Sequence, residues 1–412
     1  MNEVRAEPSA ENDDEGETDV ELPSSKPATA PVFRPLRIWP VVLLLICMWA
    51  LRIIPSMSAE TSMPMMMMAF MGPMIFAGMI ALWWLFLSRA RWTEKALGFV
   101  GLVVIVAVTT QLADNSNQSM STMINAIPWG MTGFAVAAIC VARVASFRRT
   151  GIALLGALIC FGFWDTVRTD ATWGNFRTVR SWRWEPTSED LFLESLASLR
   201  SQPGLAASTA EPLGEPEWSA FRGPNRDGAQ PSIKLHEDWD AQPPKELWRV
   251  RIGPGWSSFS VAGHRLFTQE QRGENEVIVC YEAGSGQEIW AYSYTSRFWE
   301  SAGDAGPRAT PTLSDGNLFA LGAAGILLRI DPITGGLVWQ RDIAKDAGRK
   351  PPRWGFVSSP LVTGGVVIVH GGGSGEKGVL AYDVETGDLR WSSPAGDHGY
   401  SSAQLSNICG KS

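Results

Sequence analysis

Three stretches of this 412-residue chain repeat one pattern. Tyr281-EAGSGQEI-Trp290 matches Ile330-DPITGGLV-Trp339 and Tyr382-DVETGDLR-Trp391, with the tryptophans 49 and 52 residues apart. In each, a strand-like run reaches a polar or acidic position, turns through Gly and ends on Trp. A second landmark precedes every unit: Trp256-SSFSVAG, Arg308-ATPTLSDG, Val357-SSPLVTGG and Tyr400-SSAQLSN. Aligning Ser258, Thr310, Ser359 and Ser402 gives spacings of 52, 49 and 43. A period of about 40–50 residues, filled with short β-branched and aromatic runs, predicts one β-propeller blade per unit. LFALGAAGILLRI and VVIVHGGGSGEKGVLAYD supply the inner strands, and a Trp ending each unit is expected to pack between blades.

The N-terminal half is a different material. Residues 1–35 carry nine acidic and three basic residues with few aromatics, so they predict a disordered acidic tail and not a signal peptide. Residues 36–167 hold five apolar runs. The runs at 36–55, 64–87, 96–113 and 127–144 have the roughly 17–25 residues that cross a hydrocarbon core. The run at 151–164 is strongly apolar over 14 residues and is the weakest of the five. Trp39, Trp83, Trp84, Trp92, Trp129 and Trp164 sit near run ends, where indoles favour headgroups. Eight methionines between Met63 and Met79 serve best as adaptable apolar filler, for no Cys or His accompanies them as soft metal ligands.

Parity decides where the repeats lie. The loops at 88–95 and 146–150 carry Arg89, Arg91, Lys95, Arg148 and Arg149, whereas 114–126 has no Lys or Arg. Positive loops stay cytoplasmic, so the N-terminus is placed inside and, with five spans, the repeats outside. Arg168, Arg177, Arg180 and Arg183 beyond the fifth run pull the other way. Residues 168–216 are expected to be a helix, signalled by Thr187-Ser188-Glu-Asp, and then a flexible linker. Residues 217–412 form the propeller segment.

The unit Ala381-Tyr-Asp383-Val-Glu-Thr386-Gly387-Asp-Leu-Arg-Trp391 resembles the tryptophan-docking repeat of pyrroloquinoline-quinone (PQQ)-type propellers. Trp218-SAFRGPNRDG, GPGWSS, GPRATP and WGFVSSP resemble BamB-like members of that superfamily. The resemblance implies an α-helical membrane domain of about five spans followed by an incomplete, all-β quinoprotein-like propeller of three blades plus one strand. Trp290, Asp331, Trp339, Asp383, Gly387 and Trp391 are then repeat positions with structural duties. Trp248, in KELWRV, looks like the closing strand of a missing final blade. The count predicts a truncated or frameshifted product, an intact relative carrying roughly four or five more blades.

Two functions follow from the resemblance. One is a membrane-anchored, periplasm-facing binding scaffold in the bacterial inner membrane, touching the lipid bilayer and other envelope proteins or a small ligand. The other is a PQQ-dependent dehydrogenase oxidising a sugar or alcohol and reducing membrane quinone. The dehydrogenase needs PQQ, Ca²⁺ and an acidic cluster, often with a vicinal Cys pair. The chain has five cysteines and no such pair, so no cofactor or metal is expected. Nucleic acid is not expected either, because the net charge is −7. Gly373-Ser-Gly375-Glu-Lys-Gly378 fits a dinucleotide fingerprint but runs into another strand, which favours a hairpin. No catalytic residue is assigned.

The first strand of a blade lines the central channel, so its opening residues ring one mouth. Trp256, Ser257, Arg308, Thr310, Trp354, Ser358, Tyr400 and Ser401 are the candidates for partner or ligand contact. Their hydroxyls have an alternative duty, satisfying backbone groups where strands converge. Arg308 is expected to be an unpaired cation at that mouth. On topology, phosphatase fusions after Ser201 and within 115–121 should both be active; a silent fusion after Ser201 would mean four spans and a cytoplasmic propeller.

Overall fold

The computed structural model describes residues 34–57, 62–117, 122–144, 146–172, 178–200, 212–231, 233–300, 303–396 and 399–406. Most of the acidic tail, the linker at 201–211, and Arg177, Cys409 and the terminal Gly410-Lys411-Ser412 lie outside the described residues. The helical region comprises α1 (Trp39–Ile53), α2 (Met63–Leu82), α3 (Trp92–Leu112), α4 (Ile127–Cys140) and α5 (Ser146–Asp165). Three segments are long and apolar enough to cross a membrane: Met63–Leu87, Trp92–Leu112 and Phe147–Asp165. This corrects the expected ranking of the runs. The fifth reaches full length because its helix begins before the apolar run, taking in Arg149. The first and fourth are the short ones, at 15 and 14 residues. Pro40 sets the start of α1 and Pro55 lies just past its end, while a π-turn at Thr122–Ala126 precedes α4.

Buried charge explains how α5 tolerates its arginine. Arg149 Nε lies 2.7 Å from Glu94 Oε2, with both side chains almost wholly buried, and a further Arg149 nitrogen donates to the Arg34 carbonyl. Leu36 N–H donates to Ala142 O and Arg37 N–H to Ser88 O. The N-terminal approach and the second and fourth connections therefore meet at one end of the bundle. Arg52 Nη2 donates to Asn125 Oδ1 (2.9 Å) at the other end, where Asn117 Nδ2 donates to Val167 O.

From that second end the chain enters a hairpin, β1 (Val167–Thr172) and β2 (Thr178–Trp182), that the sequence pattern had not signalled. α6 (Ser188–Arg200) follows with the predicted capping box. Thr187 Oγ1 accepts from Asp190 N–H (2.9 Å) and Asp190 Oδ2 accepts from Thr187 N–H (2.7 Å). The helix does not stand free. Glu189 receives both Arg297 terminal nitrogens at 3.0 Å and the Gly273 N–H at 2.7 Å, and Arg272 lies over the Phe192 ring. The connector is thus packed against the β-region ahead of the linker.

The β-region contains three four-stranded antiparallel meanders. Blade 1 is β3 (Ser260–Ala262), β4 (Arg265–Arg272), β5 (Asn275–Glu282) and β6 (Glu288–Thr295). After a two-residue ladder of β7 (Trp299–Glu300) and β8 (Asp304–Ala305), blade 2 is β9 (Thr312–Ser314), β10 (Asn317–Leu321), β11 (Ile326–Ile330) and β12 (Leu337–Asp342). A short α7 (Ile343–Ala347) leads to blade 3: β13 (Leu361–Thr363), β14 (Val366–His370), β15 (Val379–Asp383) and β16 (Leu389–Ser393). The Gly-rich segment joining β14 to β15 holds a 3₁₀ turn at Gly375–Lys377, as a hairpin requires, with no helix behind it.

Blade 2 is buried on both faces, which is why LFAL is continuously apolar. Leu318 and Ala320 pack with Phe267, Ile278 and Cys280 of blade 1, while Phe319 and Leu321 pack with Val367, Val369 and Leu380 of blade 3. The repeated tryptophans lock these faces. Trp248 Nε1 donates to Ala283 O (2.8 Å), Trp290 Nε1 to Pro332 O (3.0 Å) and Trp339 Nε1 to Val384 O (2.9 Å). Each indole lies on the glycine of the next blade's turn. A Cβ at Gly335 or Gly387 would sit 2.7 Å from the facing indole, and both have φ above +70° or at it, so only Gly suits. Asp331 and Asp383 shape those turns. Asp383 Oδ1 accepts from Thr386 and Glu385 N–H groups (2.9 Å each), the Thr386 contact foremost holding its carboxyl below the ordinary range.

Trp248 docks as a blade-closing Trp would, although its segment has no strand partner and is irregular. Likewise residues 399–406 form no strand. Trp391 is 43% exposed, against 7% and 9% for Trp290 and Trp339. Trp339→Ala should cost about 3–5 kcal/mol, the scale for a buried aromatic, and Trp391→Ala under about 1 kcal/mol. Chemical denaturation of the full chain in detergent checks this; equal costs would mean indole docking does not hold the blades.

Candidate functional site

Where blades fan out from the axis, backbone ladders cannot reach across, and hydroxyls take over. Ser258 N–H donates to Thr310 Oγ1 (3.0 Å), Thr310 N–H to Ser359 Oγ (2.9 Å), and Ser359 N–H to Ser402 Oγ (2.9 Å). These are the four residues that the landmark alignment superposes. A second row runs beside them, Ser260 Oγ donating to Pro311 O (2.5 Å) and Thr312 Oγ1 to Pro360 O (2.7 Å).

A strap crosses all three blades at the same place. Trp218 pairs with Val261, Leu313 N–H donates to Ser219 O, and the buried Arg226 donates to Ser359 O (2.9 Å) and Pro360 O (2.8 Å). Burial lowers the Arg226 pKa, and its charge is spread over two carbonyls. The motif WSAFRGPNRDG is therefore structural lashing. Its single Trp and paired arginines gave no periodic signal, so only the fold shows what they touch.

Beside the hydroxyl rows lies an aromatic rim. Trp256 Nε1 donates to Gly303 O (2.6 Å), the same carbonyl that accepts from Arg308 Nη1 (2.7 Å). Arg308 lies over the Phe298 ring, centroid 5.4 Å away, and Phe298 approaches Gly355, the neighbour of Trp354. Trp354 and Tyr400 pack with ring centroids 4.8 Å apart. Trp256, Trp354 and Tyr400 are all substantially exposed. Phe298 joins the two ends of the rim and was missed because it lies outside the repeat landmarks.

The other candidates divide. Thr310 and Ser358 are buried; Ser358 Oγ accepts from His370 N–H (3.3 Å), and Thr310 belongs to the hydroxyl row. Ser257 Oγ donates to Ser258 O (2.8 Å), and Ser401 is exposed. Arg308 corrects an expectation. Its side chain is only 6% exposed, donates to Gly303 and Asp304 carbonyls and lies 3.7 Å from Glu300, so it is not an unpaired cation. The chain places it beside a carboxylate eight residues upstream, across the β7–β8 turn, a proximity no linear pattern announces.

Beneath the rim, Glu276 is buried, accepting from Tyr294 Oη (2.5 Å) and Ala323 N–H (2.9 Å). Burial raises its pKa, with those hydrogen bonds opposing. Gln269 Nε2 donates to Ala309 O and Leu321 O, fixing the strand beside Arg308. Cys280 is buried between blades and its thiol is pushed up to about 12, which leaves it inert. Among the described residues no group of three or more His, Cys, Asp and Glu is placed to hold a metal ion.

Residues 239–403 match the sequence model of a family described as outer membrane protein assembly factor BamB. That match spans the three blades of the β-region. Similar solved structures include BamB from Moraxella catarrhalis, at 19% identity and TM-score 0.26, covering 35% of this chain and 39% of that one. Quinohemoprotein alcohol dehydrogenases are also similar. The ADHIIG enzyme of Pseudomonas putida HK5 is 26% identical, covering 33% of this chain and 20% of its own, at TM-score 0.26. The enzyme of Comamonas testosteroni is 24% identical, covering 34% and 20%, also at 0.26. The chain thus spans about two fifths of BamB and one fifth of these enzymes. No curated protein sequence matches it.

Arg308→Ala should lower stability by about 1–3 kcal/mol, since two carbonyls and Glu300 lose a charged donor. The denaturation midpoint reads this directly. An unchanged midpoint would return Arg308 to the role of a free recognition cation.

Proposed function

We propose that this chain is a membrane-anchored binding module. Its helical region sits in a bacterial inner membrane with the N-terminus cytoplasmic, and its PQQ-type blades face the periplasm. The rim of Trp256, Trp354 and Tyr400 takes an envelope protein or a small ligand. The observation that carries this is the rim itself: three large aromatic surfaces left to solvent, with Trp256 tied through its ring nitrogen and Trp354 packed at a tilt against Tyr400. Rigid, amphipathic rings of this kind give contact area at low entropic cost.

The orientation rests on two further facts. The Arg-rich second and fourth connections gather with residues 34–37 at one end of the bundle, and the chain leaves for the blades from the other. Three helices have spanning length and apolarity.

The donor set does not suit the Ca²⁺ and PQQ of a quinoprotein dehydrogenase. The carboxylates nearest the rim are already engaged, Glu300 by Arg308 and Asp304 by Trp299 Nε1 (3.0 Å). The Arg308 fork is spent on carbonyls. Calorimetry of the full chain in detergent with PQQ and Ca²⁺ should give no binding heat; micromolar binding would replace the module reading with the dehydrogenase. A photo-crosslinking residue at Trp256 or Trp354 should give a discrete adduct in cells that Tyr400→Ala weakens, with none from Leu389 on blade 3. Adducts of equal yield from all three positions would remove the rim as the binding surface.

A further inference from the structure

The end of the bundle nearest the blades carries several arginines, and the structure accounts for most of them internally. Arg168 pairs with Asp170 (2.7 Å) and donates to Glu185 O. Arg183 donates to Leu112 O (2.9 Å) and lies 3.9 Å from Asp114. Two remain. Arg52, at the end of α1, reaches only the neutral Asn125 side chain and, at 3.5 Å, the Ala69 carbonyl. Arg180, on β2, stacks over the Trp164 ring at 5.0 Å. Among the described residues no carboxylate pairs with either.

The two cations are also neighbours. Desolvation and then the charge of Arg52 lower the Arg180 pKa, which puts Arg180 within electrostatic reach of Arg52 at the bundle end. Arg52 opens into a small cleft with Trp49, Asn125 and Trp129. Arg52 is half-buried and Arg180 exposed, and neither has a carboxylate to offset its charge among the described residues.

Their depth says which anion. Trp129 and Trp182 are partly exposed at this end, and Trp184, which stacks on Trp182 with centroids 5.2 Å apart, is largely so. Ile53, Ile54 and Phe163 are exposed beside them. Exposed indoles bordering exposed aliphatics mark the headgroup layer of a bilayer, and a guanidinium fork matches phosphate oxygens.

We propose that Arg52 and Arg180, with Asn125 between the helices, form a binding site for the phosphate of an anionic phospholipid headgroup. This rests on the membrane-anchored reading above. Bound there, one phosphate relieves the repulsion between α1 and the hairpin that leads to α6. Lipid occupancy then stiffens the junction between bundle and blades.

Native mass spectrometry of the full chain in detergent, titrated with phosphatidylglycerol or phosphatidylcholine, tests the site. The wild type should retain phosphatidylglycerol in preference and melt at higher temperature with it. Arg180→Gln should weaken retention about tenfold, the equivalent of one charge-assisted hydrogen bond. Arg91→Gln, at the opposite end, should not. Arg52→Lys, which keeps charge but not the fork, should fall between and guards against a folding defect in Arg52→Gln. Equal retention of the two lipids, or of phosphatidylglycerol by wild type and Arg180→Gln, overturns the proposal. The same stabilisation by inorganic phosphate without lipid overturns the lipid source in favour of a soluble anion. Anchoring is read separately, by carbonate extraction of cell membranes: a chain released into the aqueous fraction would overturn the anchoring reading, while retention in detergent still decides the site.

Discussion

An indole seated on the next blade's glycine turn is the contact on which the β-region depends. Each blade is a sheet with two apolar faces, and neither can remain in water. Trp290 and Trp339 each close one face against the following blade while their ring nitrogens donate to a turn carbonyl, which Arg265 and Arg329 respectively also reach. The glycine is needed for the turn's left-handed backbone and for the ring's close approach at once. Asp383 and Asp331 serve that same turn, so the acidic position of the repeat is an architectural carboxylate and not a chemical one.

The same logic, polar groups satisfied across an interface that regular ladders cannot bridge, organises the axis. Ser258, Thr310, Ser359 and Ser402 pass hydrogen bonds from blade to blade, and the strap at 218–228 adds Arg226 to the third blade. With those groups committed, Trp256, Trp354 and Tyr400 stand as exposed aromatic surface on a hydrogen-bonded base, which is the preorganisation that the proposed binding role requires.

Charge ties the chain at two places. Glu94 and Arg149 tie the second and fourth connections at the end of the bundle away from the blades, and Glu189 with Arg297 ties α6 to blade 1. A composition rich in Pro, Ala and Gly suggested a loose tether after α6. The helix before that tether already grips Gly273 and Arg297, so the blades are held ahead of it.

The amino-acid sequence by itself determined the repeat, its period and the residues that shape each turn, because a blade is a local unit whose turn chemistry and terminal Trp lie within a dozen residues. It determined the apolar runs for the same reason. The α6 cap was legible from Thr187 to Asp190 because a capping box is four residues long. Only the tertiary structure decided which run makes the longer helix, since Arg149 is tolerable in α5 only with Glu94 beside it, 55 residues away in the chain. It alone decided that Thr310 is a rung and Arg308 a paired structural cation, because their partners, Ser258 and Ser359 on adjoining blades and Glu300 across a turn, are set by packing and not by spacing. Phe298 and Glu276 were invisible for that reason too: a buried polar or bridging group has no period, and its meaning comes from what the folded chain brings against it.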